Sequence, residues 1–296
     1  MTVVEERAEV FEAERSRLTG IAYRMLGSLA DAEDVVSEAW FRFDAAPPGS
    51  VERPAAWLTT VTSRLAIDRI RAQARRREDY VGPWLPEPVR TTADTTAGDP
   101  EARAELAESL TLGFLVVLDR LQPTERAVFL LADVFGEPYA DIAAAVGRSE
   151  EACRQIASRA RRRVREEREA RHAADEELIT DLVTAIGAGD VQGLISLLAD
   201  DVVLTSDGGA DRHAARRPVV GTDRVARFLV NLAGRTPPDA LMGIELVNAA
   251  PALVIRGGAG AIVLTADRDA DGQVAAIRVL LNPDKLAAID LPPAAI

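Results

Sequence analysis

The chain has 296 residues, 48% hydrophobic and 28% charged, with a formal net charge of −12; that is about two domains' worth of ordinary globular composition, which argues against disorder. A single cysteine, Cys153, excludes an internal disulfide framework and a Cys-rich zinc site, and two histidines, His172 and His213, argue against a His-rich metal centre. No apolar run reaches the roughly 18 residues of a membrane span and the start is acidic, unlike a signal peptide, so the expected location is the cytoplasm, with no membrane contact and no cofactor.

The acidic average hides two basic stretches. Residues 64–77 hold six arginines against Asp68, and residues 148–172 carry nine basic groups against five acidic ones. Two such stretches, far apart in an otherwise acidic chain, suit two separate contacts with a polyanion. Lysine occurs once, as Lys285.

In chain order, residues 9–26 place Val10, Leu18, Ile21, Ala22, Met25 and Leu26 near helical spacing, and Gly27-Ser28 marks a stop. Residues 31–43 open with an acidic first turn, favoured by the helix dipole, and put Val35, Val36, Ala39, Trp40 and Phe43 on one face. A Pro-Pro-Gly loop follows, and Pro54 starts a helix over about 55–77. Residues 80–100 carry Pro83, Pro86, Pro88 and Pro100, and Trp84-Leu85-Pro86-Glu87-Pro88 reads as extended chain, because a residue before proline is turned away from helix. A linker with apolar side chains beside prolines is expected to dock.

Helical pattern resumes over 101–121, 123–135 and 139–146, with Gly147 as a left-handed turn residue. Ser149 caps a further helix to about residue 168, with Glu150 and Glu151 in its first turn. Beyond Ala173, helices (176–186, 191–198, 222–232) give way to alternating runs at 202–205, 243–247, 253–256, 261–266 and 274–280, with Asp269-Ala-Asp-Gly272 as a hairpin turn. Helices followed by antiparallel strands predict an α+β domain.

The strongest chemical signal is the helix-turn-helix pattern of 123–164. Arg154, Gln155, Ser158 and Arg159 share a face that can enter a major groove, where arginine pairs with guanine and glutamine with adenine. Arg161, Arg162 and the arginines beyond them sit where phosphates are neutralised. A solvated basic helix is the plainer alternative. Ser63, Arg64, Ile67, Asp68, Arg71 and Arg75 make a second amphipathic basic helix, for which nucleic-acid contact is favoured over plain surface. Trp57 suits either stacking on an unpaired base or the core, and the core is favoured. Asp31, Glu33, Asp34 and Glu38 cannot bind DNA; they form a solvated helix start or a protein-docking face.

These residues carry a family resemblance. Asp31-Ala-Glu-Asp-Val-Val-Ser-Glu-Ala-Trp40 and Pro54-Ala-Ala-Trp-Leu-Thr-Thr-Val-Thr-Ser-Arg-Leu-Ala-Ile-Asp-Arg69 resemble region two of bacterial extracytoplasmic-function sigma factors. Leu121-Gln-Pro-Thr-Glu-Arg-Ala-Val-Phe129, Tyr139-Ala-Asp-Ile-Ala143 and Gly147-Arg-Ser-Glu-Glu-Ala-Cys-Arg-Gln-Ile156 resemble region four. The resemblance implies that Asp31, Glu33, Asp34, Glu38 and Trp40 dock on core RNA polymerase. It implies that the 54–77 segment, with Trp57, Arg64, Asp68 and Arg71, opens the minus-ten element of promoter DNA. Arg154, Gln155, Ser158 and Arg159 would read the minus-thirty-five element, and polymerase would supply the chemistry.

Residues 173–296 resemble the SnoaL-like, ketosteroid-isomerase-type cone fused to the sigma-J-like subgroup. Trp84-Leu-Pro-Glu-Pro88 and Asn282-Pro283-Asp284-Lys285-Leu286 match motifs of that subgroup, and Asp207-Gly208-Gly209-Ala-Asp211 stands for a third, departing at its last two positions. The expected architecture is therefore a multidomain chain: two all-α sigma domains, the second with the helix-turn-helix, plus a C-terminal α+β cone. Its boundaries are 1–79 for region two, 80–104 for the linker, 105–170 for region four and 173–296 for the regulatory cone. The cone is expected to set activity in cis, with Lys285 paired to an acid across a domain interface. An unknown small ligand is a further expected partner, ahead of catalysis by Asp207, Asp211 or His213. The free chain is expected to be a monomer. The rival reading is a ligand-sensing helix-turn-helix regulator acting without polymerase.

Overall fold

The computed structural model describes residues 3–78, 80–91, 106–168, 171–257 and 260–290. The chain forms two compact units. One joins Met1–Glu78 to Val117–Arg165; the other joins Asp79–Val116 to Glu166–Ile296.

In the first unit, α1 (Val3–Leu26), α2 (Leu29–Asp44) and α3 (Pro54–Glu78) pack together. The faces predicted from spacing are the buried ones: Leu18, Ile21, Met25 and Leu26 on α1, and Val35, Val36, Ala39 and Phe43 on α2. The Ser28 hydroxyl caps α2 by accepting from the Asp31 amide. The rest of the unit comprises α5 (Pro123–Phe129), α6 (Tyr139–Val146) and α7 (Glu150–Arg168). Gly147, at φ 67°, makes the turn between α6 and α7. Ser149 caps α7 through the Ala152 amide, and Cys153, Ala157, Ala160 and Val164 form its buried stripe.

Two helical expectations need correction. The predicted 101–121 helix is interrupted; residues 101–105 lie outside the described residues, and the regular helix is α4 (Leu112–Asp119). The Ser109 and Thr111 hydroxyls donate to the Leu106 and Glu108 carbonyls, and Thr111 also accepts from the Phe114 amide. Such local side-chain bonds stop one helix and start the next. The predicted 123–135 helix widens into a π-turn at Leu130–Val134, closed by the Phe135 amide on the Leu130 carbonyl.

The second unit is a curved sheet with helices α8 (Glu176–Ala188), α9 (Val191–Leu197) and α10 (Thr222–Ala233) sharing its core. Its strands are β1 (His172–Ala173), β2 (Leu198–Asp207), β3 (Val219–Val220), β4 (Leu241–Val247), β5 (Ala250–Arg256), β6 (Ile262–Arg268) and β7 (Val274–Leu280). The order is β3-β2-β7-β6-β5-β4, with β1 on β6. The sheet is mixed, not antiparallel throughout as predicted: β2 and β7 run parallel. Alternation along a strand reports which face is buried and is the same for either direction. Ile179, Leu182, Leu194, Val202, Val225, Leu229, Ile277 and Val279 make the core. Helix α11 (Pro283–Asp290) follows β7.

Candidate nucleic-acid interface and linker clamp

On α7 the exposed face is the predicted one. Arg154, Gln155, Ser158, Arg159, Arg161 and Arg162 all lie opposite the buried stripe. Arg154 pairs with Glu150 at 2.7 Å and lies 5.2 Å over the Tyr139 ring, so the first turn holds its guanidinium in place. Arg161 pairs with Asp133 and Arg163 with Glu125, drawing both towards the body of the unit. Gln155, Arg159 and Arg162 make no side-chain hydrogen bond or ion pair among the described residues.

The α3 residues divide. Asp68 and Arg71 are exposed and pair with each other at 3.3 Å. Trp57 is half-buried with its ring 5.7 Å from Phe43, in an aromatic row that continues through Trp40 to Phe11. Ser63 and Ile67 are buried, so they stand on the core side of the helix. The Arg75 side chain lies outside the described residues. Arg64 is engaged within the unit: its guanidinium donates to the Ala144 carbonyl at 2.6 Å and the Ala145 carbonyl at 3.2 Å, at the C-terminal end of α6. A cation there meets the negative end of the helix dipole.

Three further contacts join the same helical groups. Arg53 makes a two-pronged bond to the Asp141 carboxylate, both at 2.9 Å. Arg17 meets Glu137 at 2.6 Å. Buried Arg126 donates to the Met25 carbonyl at 2.6 Å and to Asp119 at 2.8 Å. On α2, Asp31 and Asp34 both accept from Arg69 of α3, and Glu38 pairs with Arg42; Glu33, Asp34 and Glu38 are exposed.

In the second unit the three motifs expected to regulate converge on one carboxylate. Asp207, at the end of β2, is 0% exposed. Its Oδ1 accepts from the Tyr80 hydroxyl at 2.6 Å and the Gly209 amide at 3.1 Å; its Oδ2 accepts from the Leu85 amide at 2.8 Å and Lys285 Nζ at 2.7 Å. Lys285 also donates to the Leu85 carbonyl at 2.6 Å and lies 4.2 Å over the Trp84 ring. Leu85, Pro86 and Pro88 are buried, and Glu87 is half-buried. Asn282 donates to the Tyr80 oxygen and accepts from the Asp284 amide, which starts α11 behind Pro283; Leu286 anchors that helix in the core. Burial and the Asp207 carboxylate hold the Tyr80 phenol well above its ordinary pKa, so it remains a neutral donor.

Gly208 and Gly209 allow this packing. A Cβ at Gly208 would stand 2.6 Å from the Arg212 carbonyl oxygen, and one at Gly209, where φ is 60°, would stand 2.8 Å from Asn282. A second grip follows the first. The linker pairs with the end of β4 through an Arg90–Val247 bridge, and buried Asn248 binds Val89 and the Leu110 carbonyl. Arg90 also donates to the Ile289 carbonyl and approaches Glu245, whose carboxyl is held below its ordinary pKa chiefly by the Arg256 hydrogen bond.

Residues 10–76 match the Sigma-70 region 2 family and residues 113–164 the Sigma-70, region 4 family. Over 289 residues, 93% of this chain and 91% of its relative, the sequence is 42% identical to the ECF RNA polymerase sigma factor SigJ of Mycobacterium tuberculosis. The chain belongs to the extracytoplasmic-function sigma factors. It is also 34% identical to the probable ECF sigma factor SigI of that species, over 93% of each chain. The crystal structure of the M. tuberculosis SigJ protein superposes with a TM-score of 0.76 at 38% identity, covering 95% of this chain and 98% of that one.

As a sigma factor, the chain binds core RNA polymerase, recognises promoter DNA through regions two and four, and starts transcription. Its second unit carries the SnoaL-like fold expected from sequence. Tyr80, Arg90 and Asn248 are grip residues of this sigma factor that the sequence reading missed. Tyr80 and Arg90 flank the Trp-Leu-Pro-Glu-Pro motif, but their partners lie 127 and 199 residues away. The acid opposite Lys285 is Asp207, from the same C-terminal domain and not across a domain interface as expected; Ala210 and Asp211, which depart from the motif, lie in the turn after β2.

Proposed function

We propose that the C-terminal unit of this sigma factor restrains transcription in cis by gripping the linker between regions two and four. The supporting observation is Asp207: a fully buried carboxylate with four donors, two of them from the linker residues Tyr80 and Leu85. Trp84 to Pro88, Asp207 to Gly209 and Asn282 to Leu286 form one clamp in this reading. The minus-ten and minus-thirty-five elements are roughly 25 base pairs apart, about 85 Å of duplex at 3.4 Å per step. Regions two and four cannot span that distance while Arg53 and Arg64 hold α6. The free chain is thus a closed monomer, and promoter engagement requires region four to leave region two.

In the open form, Arg154, Gln155, Ser158 and Arg159 read the minus-thirty-five element, and Arg161 and Arg162 neutralise phosphates. Arg64, released from α6, joins Asp68, Arg71 and Trp57 at the minus-ten element. Asp31, Glu33, Asp34, Glu38 and Trp40 form the polymerase-docking side. The protein acts in the cytoplasm beside its polymerase; among the described residues, no helix is long and apolar enough to cross a membrane. The C-terminal unit works as a regulator and not as an enzyme, a reading supported by the linker's occupation of Asp207.

Energy transfer between dyes on Ser16→Cys and Glu151→Cys of the full chain tests the opening. Both positions are exposed, and native Cys153 is buried. Transfer is expected to fall sharply on addition of core polymerase and promoter. Unchanged transfer in a transcribing complex would overturn the closed-to-open reading.

A further inference from the structure

The C-terminal unit contains a pocket of about 240 Å³ that does not include the clamp carboxylate. Its floor is apolar: Leu232 near the end of α10, Ile255 on β5 and Ile262 on β6 pack against the core yet stay only partly buried. It is also lined by two arginines, Arg212 from the loop after β2 and Arg235 from the turn after α10, with His213 next to Arg212. Three other arginines of this unit face carboxylates: Arg227 pairs with Asp223, Arg256 with Glu245 and Arg278 with Asp267. The residues lining the pocket include no acid, in a chain of net charge −12. Among the described residues, the side chains of Arg235 and His213 make no hydrogen bond or ion pair. A guanidinium beside apolar side chains in one pocket suits an amphipathic anion, because the guanidinium fork matches a carboxylate and the apolar side chains take the hydrocarbon.

We propose that this pocket binds a small amphipathic carboxylate, its acid group at Arg235 and its apolar body against Leu232, Ile255 and Ile262. The volume sets the size. At ~30 Å³ for each water-sized group, it takes roughly eight heavy atoms, the scale of a medium-chain fatty acid or a single-ring aromatic acid. The site stands whether or not the clamp controls transcription.

Calorimetric titration of the full chain with octanoate, below its micellar concentration, is the test. Saturable one-to-one binding is expected. Acetate, which lacks the body, and 1-octanol, which lacks the charge, should both bind at least about tenfold more weakly. Arg235→Gln, at an exposed position, should weaken octanoate about tenfold or more without moving the thermal midpoint, and Ile255→Ala should weaken it through the floor. No saturable binding of octanoate, or binding undiminished in Arg235→Gln, would overturn the proposal. Binding of inorganic phosphate as tight as that of octanoate would overturn the amphipathic assignment.

Discussion

A buried carboxylate is costly unless its lone pairs are filled, and Asp207 has all the donors it needs: a phenol, two amides and the chain's one lysine. Removing a partner leaves a buried charge behind, which costs about 3–5 kcal/mol. Lys285→Met should therefore loosen the clamp, and hydrogen exchange at the Leu85 amide should speed up by about a hundredfold or more. An unchanged exchange rate would show that Asp207 does not depend on Lys285. Tyr80 adds a pH dependence of defined sign. Its raised folded-state pKa means that its contribution is complete below the phenol's ordinary value and is lost as pH rises towards the folded value. Stability of the C-terminal unit should thus fall above about pH 10 in the wild type, and less steeply in Tyr80→Phe.

At the scale of elements, α7 separates reading from docking. Gln155→Ala should cost about 1–3 kcal/mol at its own base pair and relax minus-thirty-five specificity there. Arg162→Gln should weaken all sequences alike and reduce the salt slope of binding by about one unit. Promoter profiling and salt titration separate the two; identical effects would contradict the division. The helical half of the fold was legible because apolar spacing, the Gly27-Ser28 stop, the Ser149 cap and the Gly147 turn are local features. The β-sheet was only partly so. The β4–β5 turn is Asn248-Ala249, with φ 53° and 58°, and an alanine there gives no turn signal. The parallel β2–β7 pair joins distant segments whose side-chain alternation does not encode direction. Within the clamp, the Trp84-to-Pro88 docking segment and Lys285's need for an acid could be read from local sequence. The linker partners Tyr80, Arg90 and Asn248 could not, since each bond spans more than a hundred residues.

At the scale of the whole molecule, the chain that joins regions two and four is bound near both ends to the C-terminal unit, through Tyr80 to Thr91 and again at the Leu110 carbonyl. A released linker reaches up to about 3.3–3.6 Å per residue; a gripped one does not. The Arg53–Asp141 pair adds a second restraint within the helical unit. Arg53→Gln should lower energy transfer between the Ser16 and Glu151 positions in the free chain, with no change in thermal midpoint beyond that of a surface substitution.

The most direct measurement is promoter-dependent run-off transcription by core polymerase with the full-length chain, wild type against Lys285→Met, at matched folded concentrations. The account predicts several-fold more transcript from Lys285→Met, because its linker is free to let region four reach the minus-thirty-five element. Equal or lower output from the variant would contradict restraint by the clamp.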